Sequence, residues 1–383
     1  TQIEHVLNRI ARRMPDVSLE KQQRGLRRIT ADIFRRTAGW LDGHGISRGE
    51  GKKQMKAEMK PRIDLENRTR LETVIPLRTP FIINIDPSDI CNFQCKFCPT
   101  GDRALMKRTP GRNHGLMDFD LYRKIIDDAC GFPDKVKVIR LYKDGEPLLN
   151  PHFADMVKYA KQSGCCDRVD TTTNASLLTH ELSDGMIAAG IDRINISIEG
   201  VNAQQYQDFS GYILDFDALV DQVRYFYDHK INTEMIVKVN GDILTASQKQ
   251  YFLDIFGDIT DGIFIESIMD CWPTFEQTKV AVNEDRSIYG GEVREVLVCP
   301  YVFYSFSVNS DGTVSPCFLD WHRKLVIGNV HTDSLVALWN GDKMQEYRKL
   351  FLRGERKMHP ICCDCGQLRQ GQPDDIDPFA AEL

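Results

Sequence analysis

The sequence lacks any apolar run of the ~20 residues that a transmembrane helix needs. Its charged, amphipathic start also lacks the short apolar core of a secretory signal peptide. With 42% hydrophobic and 27% charged residues, the composition is that of a globular protein. We therefore expect a cytoplasmic protein that does not associate with membranes. In that reducing compartment, the 12 cysteines are expected to be metal ligands or buried thiols rather than disulfides.

The sequence also has few features of a nucleic-acid-binding protein. The net charge is −6, although residues 1–80 contain 18 Lys and Arg against 10 Asp and Glu. These basic residues are interspersed with Ile, Leu and Phe at helical spacing, which indicates the solvated face of helices. No aromatic stacking platform accompanies them, and charge alone gives only salt-sensitive binding. We therefore do not expect a nucleic acid among the partners.

The hydrophobic pattern divides the chain into three parts. Residues 1–80 predict two or three helices, forming a basic N-terminal extension. Residues 286–383 predict a small separate domain, with a hairpin turned at Asn309–Gly312 and one helix over residues 334–354. Between them, in residues 81–285, six β-rich runs alternate with helical patterns. This alternation indicates parallel βα units, arranged as a doubly wound sheet or as a full or partial barrel. In chain order, the six runs are "FIINIDPS", "KVKVIRLY", "RVDTTT", "RINISIEG", "NTEMIVKVN" and "GIFIESIM".

Three cysteines lie within eight residues directly after the first of these strands: Cys91, Cys95 and Cys98. A structural zinc site uses four protein ligands and a disulfide uses two, so three thiols without a fourth nearby fit neither. A 4Fe–4S cluster held by three thiolates leaves one iron open to another ligand. In barrels, moreover, the chemistry gathers in the loops that follow the strands. Incidental cysteines, or a zinc site completed from a distant residue, remain the alternatives.

The spacing Cys91-x3-Cys95-x2-Cys98, with Phe97 between the last two, resembles that of the radical S-adenosylmethionine (radical SAM) superfamily. The resemblance implies a partial (β/α)6 TIM-like barrel with a three-cysteine 4Fe–4S cluster. It also implies that the open iron chelates the amino and carboxylate groups of S-adenosylmethionine. An electron from the cluster then yields a 5′-deoxyadenosyl radical, which abstracts hydrogen from a substrate. A flavodoxin or ferredoxin is the expected reducing partner.

Further strand ends resemble the S-adenosylmethionine contacts of that superfamily. Asp144-Gly145-Glu146-Pro147 is similar to its Gly-Gly-Glu-Pro motif, but departs from it at Asp144. The resemblance implies that Glu146 receives the methionine ammonium. The positions that resemble its ribose- and methionine-contacting residues are Asn174, Ser197, Glu199 and Lys238. Each of these alone is commonly a cap or a loop hydrogen bond, and the tetrapeptide alone a turn.

A second set of cysteines lies in the C-terminal part: Cys299, Cys317, Cys362 and Cys365. Four thiols suffice for a closed 4Fe–4S cluster or for a zinc site. The tail resembles the SPASM domain, or the shorter twitch domain, of radical SAM enzymes, which implies an auxiliary cluster. With only five cysteines in the tail, one such cluster is expected rather than two. Cys363 is an alternative to Cys362 as a ligand, and zinc is the alternative metal.

These resemblances imply an enzyme that abstracts hydrogen from a carbinol carbon of a sugar, aminocyclitol or nucleotide sugar. A closed auxiliary cluster accepts the electron of a substrate radical, which favours dehydrogenation over epimerisation. Cys271, directly after the sixth strand, is a candidate catalytic thiol that returns hydrogen in an epimerase; packing beside Trp272 is the other interpretation. Two other classes remain: a peptide-modifying or sulfatase-maturing enzyme, and a non-enzymatic electron-transfer protein. By position alone, Tyr142, Glu266, Asp270 and Trp272 are expected to line the substrate pocket.

Overall fold

The computed structural model describes residues 55–65, 67–276, 280–282, 284–371 and 374–383. The helices expected in residues 1–54 lie outside this part of the chain. The rest of the expected N-terminal extension departs from the helical expectation: within residues 55–65 and 67–80 there is no α-helix. This segment instead contributes the short strand β1 (Glu58–Met59) and a 3-10 turn at Leu71–Thr73. Met55–Leu383 together form one compact unit.

Six parallel strands, neighbours in chain order, form the core of a ten-stranded sheet. Helices connect them, so the predicted α/β architecture with a partial barrel is confirmed. The strands are β2 (Ile82–Ile85), β3 (Val136–Leu141), β4 (Cys166–Thr173), β5 (Arg193–Ile198), β6 (Glu234–Asn240) and β7 (Gly262–Glu266). The helices are α1 (Arg103–Arg108), α2 (Phe119–Ala129), α3 (Phe153–Ser163), α4 (His180–Ala189), α5 (Ala203–Ser210), α6 (Phe216–His229) and α7 (Ala246–Phe256). Two short helices, α1 and α5, lie in the loops after β2 and β5 and were not predicted from the sequence.

The two faces of the strands differ in chemistry because successive side chains point to opposite sides. On β5, for example, Ile194, Ile196 and Ile198 are buried in the hydrophobic core with the helices. The alternate positions carry Asn195 and Ser197. The same alternation places polar residues between apolar ones on β2, β3 and β6. The face of the sheet opposite the helices therefore carries polar side chains such as Asn84, Arg140 and Lys238.

The C-terminal part extends this same sheet. Its hairpin joins β8 (Ser305–Val308) to β9 (Thr313–Ser315) through the predicted turn, where Gly312 has a φ of 82°. Strand β8 pairs in parallel with β2, while β9 and β10 (Gly328–Asn329) add antiparallel strands. Three helices complete it: α8 (Tyr301–Tyr304), α9 (Leu335–Asn340) and α10 (Asp342–Leu352). The single helix expected over residues 334–354 is thus two helices, divided at Gly341.

Candidate active site

The loop that carries Cys91, Cys95 and Cys98 follows β2 at the carboxyl end of the sheet. All three thiols are free and half-buried. The backbone nitrogen of Gln94 donates to the Ser210 carbonyl at 2.7 Å, which fixes the loop against the end of α5. A Cβ on Gly101 would lie 2.4 Å from the Cys95 carbonyl oxygen, so the loop closes only with glycine there.

The surroundings of these thiols are buried and acidic. Burial, and then the carboxylates of Glu146 and Glu199, raise the pKa of Cys91 and Cys95 respectively. The thiols also raise one another's pKa, which reflects their proximity. A bound cation reverses this penalty because it stabilises the thiolate. The phenyl ring of Phe97 stacks on Phe209, with ring centroids 5.7 Å apart.

The Asp144–Pro147 motif packs directly against the start of the cysteine loop. A Cβ on Gly145 would lie 2.1 Å from the Ile90 carbonyl oxygen and 2.2 Å from that of Ser88. The backbone nitrogen of Glu146 donates to the same Ile90 carbonyl at 3.0 Å. Pro147 then begins a buried 3-10 turn. The motif therefore positions the residue immediately before Cys91.

The Glu146 carboxylate joins the ends of β3 and β4. Its Oε1 accepts hydrogen bonds from the Thr173 hydroxyl at 2.6 Å and from the Leu148 backbone nitrogen at 3.0 Å. Its Oε2 accepts from the backbone nitrogen of Asn174 at 2.8 Å. Burial raises the pKa of Glu146 to about 7, against these hydrogen bonds, which lower it. Because a carboxylate has about four acceptor positions, one remains for an ammonium donor.

We expect Glu146→Ala to weaken S-adenosylmethionine binding by about 1–3 kcal/mol, since a charge-assisted hydrogen bond is lost. Titration calorimetry on reconstituted protein measures the affinity, and iron content should stay near the wild-type value. Glu146→Gln is the matched variant because it keeps the shape but removes the charge. It should also bind more weakly. If Glu146→Gln binds like the wild type, Glu146 acts only by joining the two strands.

The other predicted contact residues lie at the same edge of the sheet. The Asn174 side-chain amide donates to the Asn92 side-chain oxygen at 3.0 Å, which connects β4 to the cysteine loop. Glu199 accepts from Asn240 at 3.4 Å, and burial raises the pKa of Glu199 to about 7. On adjacent strands, Ser197 is in register with Lys238. The Lys238 ammonium forms an ion pair with Glu266, so a methionine carboxylate would share this cation.

Sequence reasoning missed three residues of this constellation: Asn92, Thr173 and Asn240. Asn92 follows the first cysteine of the loop, and the other two are the last residues of β4 and β6. These residues could have been found from the sequence, because active sites of barrels lie at the carboxyl ends of the strands and in the loops that follow.

A buried ion network connects this edge to the C-terminal part of the chain. The Asp144 carboxylate contacts Lys143 at 2.8 Å, Arg323 at 2.5 Å and Arg112 at 3.4 Å. Burial alone would raise the pKa of Asp144, but these cations outweigh it and lower the pKa. Arg323 follows the hairpin strands, whereas Asp144 belongs to the motif after β3. The acidic residue that replaces the family's first glycine thus anchors the two parts to each other.

The four C-terminal cysteines gather around one small apolar cavity. Cys299, Cys317, Cys362 and Cys365 all line it, with Val302, Leu319 and Phe351 among the apolar residues. Burial is the main reason that the pKa of each thiol is raised. Cys363 is exposed and instead lines a neighbouring surface cleft. Cys362 and Cys363, the two candidates for the remaining ligand, thus lie in different surroundings.

The donor set of both cysteine groups fits iron–sulfur ligation. Such clusters are held by thiolates in buried, apolar surroundings, and three plus four thiols are in place. Across the described ranges, no three or more His, Cys, Asp or Glu side chains are already arranged to hold a metal ion.

Cys271 lies between the two cysteine groups. It follows β7, is half-buried, and neighbours Cys365 and Cys98 closely enough that each raises its pKa, after the larger effect of burial. A Cβ on Gly366 would lie 1.8 Å from the carbonyl oxygen of Asp270, so the backbones beside Cys365 and Cys271 touch. Trp321 supports this segment by donating to the Pro273 carbonyl at 2.9 Å.

Two family models match the chain where these groups lie. The model of the radical SAM superfamily matches residues 85–255, and that of the SPASM iron–sulfur cluster-binding domain matches residues 299–366. The chain is a radical SAM enzyme with a C-terminal SPASM domain. Its cofactors are accordingly a 4Fe–4S cluster that acts on S-adenosylmethionine and an auxiliary iron–sulfur cluster. The non-enzymatic alternative is therefore wrong.

Relatives of this radical SAM enzyme include two matches over most of its length. It is 25% identical to the tungsten-containing aldehyde ferredoxin oxidoreductase cofactor-modifying protein of Pyrococcus furiosus, over 72% of this chain and 84% of that one. It is 21% identical to the S-adenosyl-L-methionine-dependent 2-deoxy-scyllo-inosamine dehydrogenase of Niallia circulans, over 77% and 96% respectively.

A solved structure shows the same fold. Streptococcus suis SuiB bound to S-adenosylmethionine superposes with a TM-score of 0.51 at 16% identity, covering 78% of this chain and 73% of SuiB.

None of the helices in the described residues of the radical SAM enzyme has the length and hydrophobicity of a membrane-spanning segment.

Proposed function

We propose that this radical SAM enzyme dehydrogenates a carbinol carbon of a small polyhydroxylated substrate, such as a sugar, aminocyclitol or nucleotide sugar. One observation carries the proposal: four thiols, from Cys299, Cys317, Cys362 and Cys365, line a single cavity. A cluster held by four cysteines has no open iron for substrate and is suited to electron transfer. Removing a hydrogen atom from the carbinol carbon leaves a radical, and this radical becomes a carbonyl group when it loses an electron to the acceptor and its hydroxyl proton to a base or to water.

When bound, the three-cysteine cluster and S-adenosylmethionine supply the hydrogen-abstracting radical, and the auxiliary cluster supplies an electron acceptor. The chain's own residues hold the reactants. In this proposal Glu146 binds the methionine ammonium and Lys238 the carboxylate, while Asn174, Ser197 and Glu199 contact the ribose or methionine. Tyr301 and Gln367 stand between the auxiliary cysteines and a second cavity on the inner face of the sheet, since both residues line both cavities.

The comparison with the 2-deoxy-scyllo-inosamine dehydrogenase supports a small-molecule substrate. That match covers 96% of the relative and 77% of this chain. A flavodoxin or ferredoxin remains the proposed reductant. Peptide modification is the alternative, and it predicts that no small carbinol compound supports turnover.

Epimerisation is the second candidate function, favoured by the position of Cys271 beside Cys365 and Cys98. A thiol that returns a hydrogen atom must reach the face of the substrate radical opposite the adenosyl group. It must also stay protonated, and burial favours this by raising the pKa of Cys271. Dehydrogenation and epimerisation can be distinguished in deuterium oxide, because only epimerisation adds a hydrogen from a thiol to the substrate carbon.

The experiment is turnover in deuterium oxide by wild type, Cys271→Ala and the control Cys130→Ala, whose thiol is exposed beyond α2. The test compounds are 2-deoxy-scyllo-inosamine and a panel of sugars, with product analysis by mass spectrometry and NMR. For a dehydrogenase, all three proteins give one carbonyl product per 5′-deoxyadenosine, with no deuterium at that carbon. If the product is instead inverted and deuterated, and only Cys271→Ala fails to invert it, the enzyme is an epimerase.

A further inference from the structure

The second cavity mentioned above has a volume of about 100 Å3 and lies on the inner face of the sheet beside β2 and β3. It is lined by guanidinium and phenol groups: Arg62, Arg140, Tyr142, Tyr289, Tyr301 and Tyr304. None of the residues proposed to bind S-adenosylmethionine lines it. Through Tyr301 and Gln367 it adjoins the auxiliary cysteines, which is where a substrate that delivers an electron to them must lie.

The cavity carries more positive charge than its protein neighbours balance. Arg62 forms no ion pair with a carboxylate among the described residues; its side-chain hydrogen bond goes to the Tyr142 hydroxyl at 2.9 Å. The two guanidinium groups of Arg140 and Arg168 share one carboxylate, that of Asp170, at 3.5 and 3.7 Å.

Other charged groups around the cavity are already paired. Arg68, a further lining residue, donates to Asp374 at 2.6 Å. Glu234, at the start of β6, contacts Arg193 and Lys60, and Glu266 is engaged by Lys238. Glu266 also stabilises the charge of Arg62 from a distance, since it helps to raise the pKa of Arg62, but it forms its ion pair with Lys238. One carboxylate therefore serves both Lys238 and Arg62, as Asp170 serves both Arg140 and Arg168. The same two guanidinium groups act on Tyr142: burial raises its pKa, but Arg62 and Arg140 outweigh burial, so the pKa is lowered.

We infer that this cavity binds an anionic group of the substrate, a phosphate or a carboxylate, through Arg62, Arg140 and Tyr142. Guanidinium groups in buried surroundings are normally paired, and their planar donor fork matches the oxygens of both anions. Because Arg62 donates to the Tyr142 oxygen, the phenol proton is available to a third group. Because Gln367 donates to the Tyr301 hydroxyl at 2.7 Å, the Tyr301 proton is similarly available.

The inference rests on the proposed function and narrows its substrate class. A cavity of this size takes the anionic group and the adjoining carbon, while the rest of the substrate extends toward the cysteine loop. The substrate is then a phosphorylated or carboxylated carbinol compound rather than a neutral cyclitol.

The test is direct binding to the reconstituted holoenzyme with S-adenosylmethionine present. Titration calorimetry compares matched compounds: glucose, glucose 6-phosphate and glucuronate, and myo-inositol with its 1-phosphate. Inorganic phosphate and acetate are the competing probes. We expect one anionic class to bind about 10- to 100-fold more tightly than the neutral partner, as charged hydrogen bonds imply. The phosphate and carboxylate arms identify which anion the site prefers.

Arg62→Gln should abolish that preference, whereas Arg224→Gln, an exposed change on the outer face of α6, should keep it. Tyr142→Phe is the second variant, which removes a donor without removing charge and should reduce the preference about tenfold. Equal binding of neutral and anionic partners by wild type, or an unchanged preference in both Arg62→Gln and Tyr142→Phe, overturns the inference.

These titrations, combined with product analysis after turnover of the same compounds, separate this inference from the proposed function. If a neutral sugar or cyclitol is oxidised to a carbonyl and anions gain nothing, the anion site is wrong and the dehydrogenase stands. If anions bind with the expected preference but no carbinol compound is oxidised, the binding site stands and the dehydrogenase is wrong.

Discussion

Replacing Cys91, Cys95 and Cys98 together with alanine should abolish S-adenosylmethionine cleavage and lower the iron content from about eight to about four atoms per chain. The reason is the position of these thiols, which share one loop after β2 and are held against α5 and the Asp144–Pro147 motif. No other described cysteine lies in this loop. Iron analysis and the yield of 5′-deoxyadenosine under anaerobic, reducing conditions provide the measurement.

The matched control also removes three thiols: Cys130, Cys165 and Cys166, none of which lies in either candidate ligand set. This variant should keep about eight irons and cleave S-adenosylmethionine as the wild type does. A loss of iron as large as that of the first variant would show that cysteine replacement acts through stability. Cleavage that survives in the first variant would contradict the assignment of the loop.

The second large effect is expected at neighbouring positions in the C-terminal part. Cys362→Ala should lose the auxiliary cluster, about four irons, while Cys363→Ala should keep it. Cys362 lines the cavity with the other three thiols, whereas the exposed Cys363 lies outside it. Arg356 donates to the Cys362 carbonyl at 2.9 Å and to the Cys363 carbonyl at 3.4 Å, which holds the backbone of both residues.

Iron content and electron paramagnetic resonance of the reduced proteins distinguish the pair, since both carry the same substitution at adjacent positions. The reverse result, with iron lost only from Cys363→Ala, would make Cys363 the ligand. A wild-type protein that contains about four irons together with zinc would show that the auxiliary site is not an iron–sulfur cluster.

The core of the fold was predictable because its signals are local. Helices α3, α6 and α7 have an apolar stripe, and each parallel strand is a short apolar or alternating run bounded by turns. The division of the last helix at Gly341 was not apparent, because the apolar pattern continues across the glycine. Nor was the pairing of β8 with β2, which joins residues more than 200 positions apart and depends on packing.

The sequence positions of the candidate site residues were predictable, but their hydrogen-bond and ion-pair partners were not. The resemblance to the radical SAM superfamily is what singled out Glu146, Glu199 and Lys238 at or just after strand ends. That Glu146 would be held by Thr173, or Lys238 by Glu266, follows from distances between strands, which no spacing in the sequence encodes. The difference between Cys362 and Cys363 likewise depends on the direction of each side chain.

The pairing of β8 with β2 places strands of the radical SAM domain and the SPASM domain in one continuous sheet. A chain cut near residue 285 would leave β2 as an open edge, which is a template for aggregation. It would also leave the buried Asp144 with Lys143 and Arg112 but without Arg323, which weakens the ion network. The modules that sequence comparison separates could not then be exchanged between enzymes by simple fusion. If such a domain were exchanged between enzymes in evolution, the transferred part would have to include β8 and Arg323.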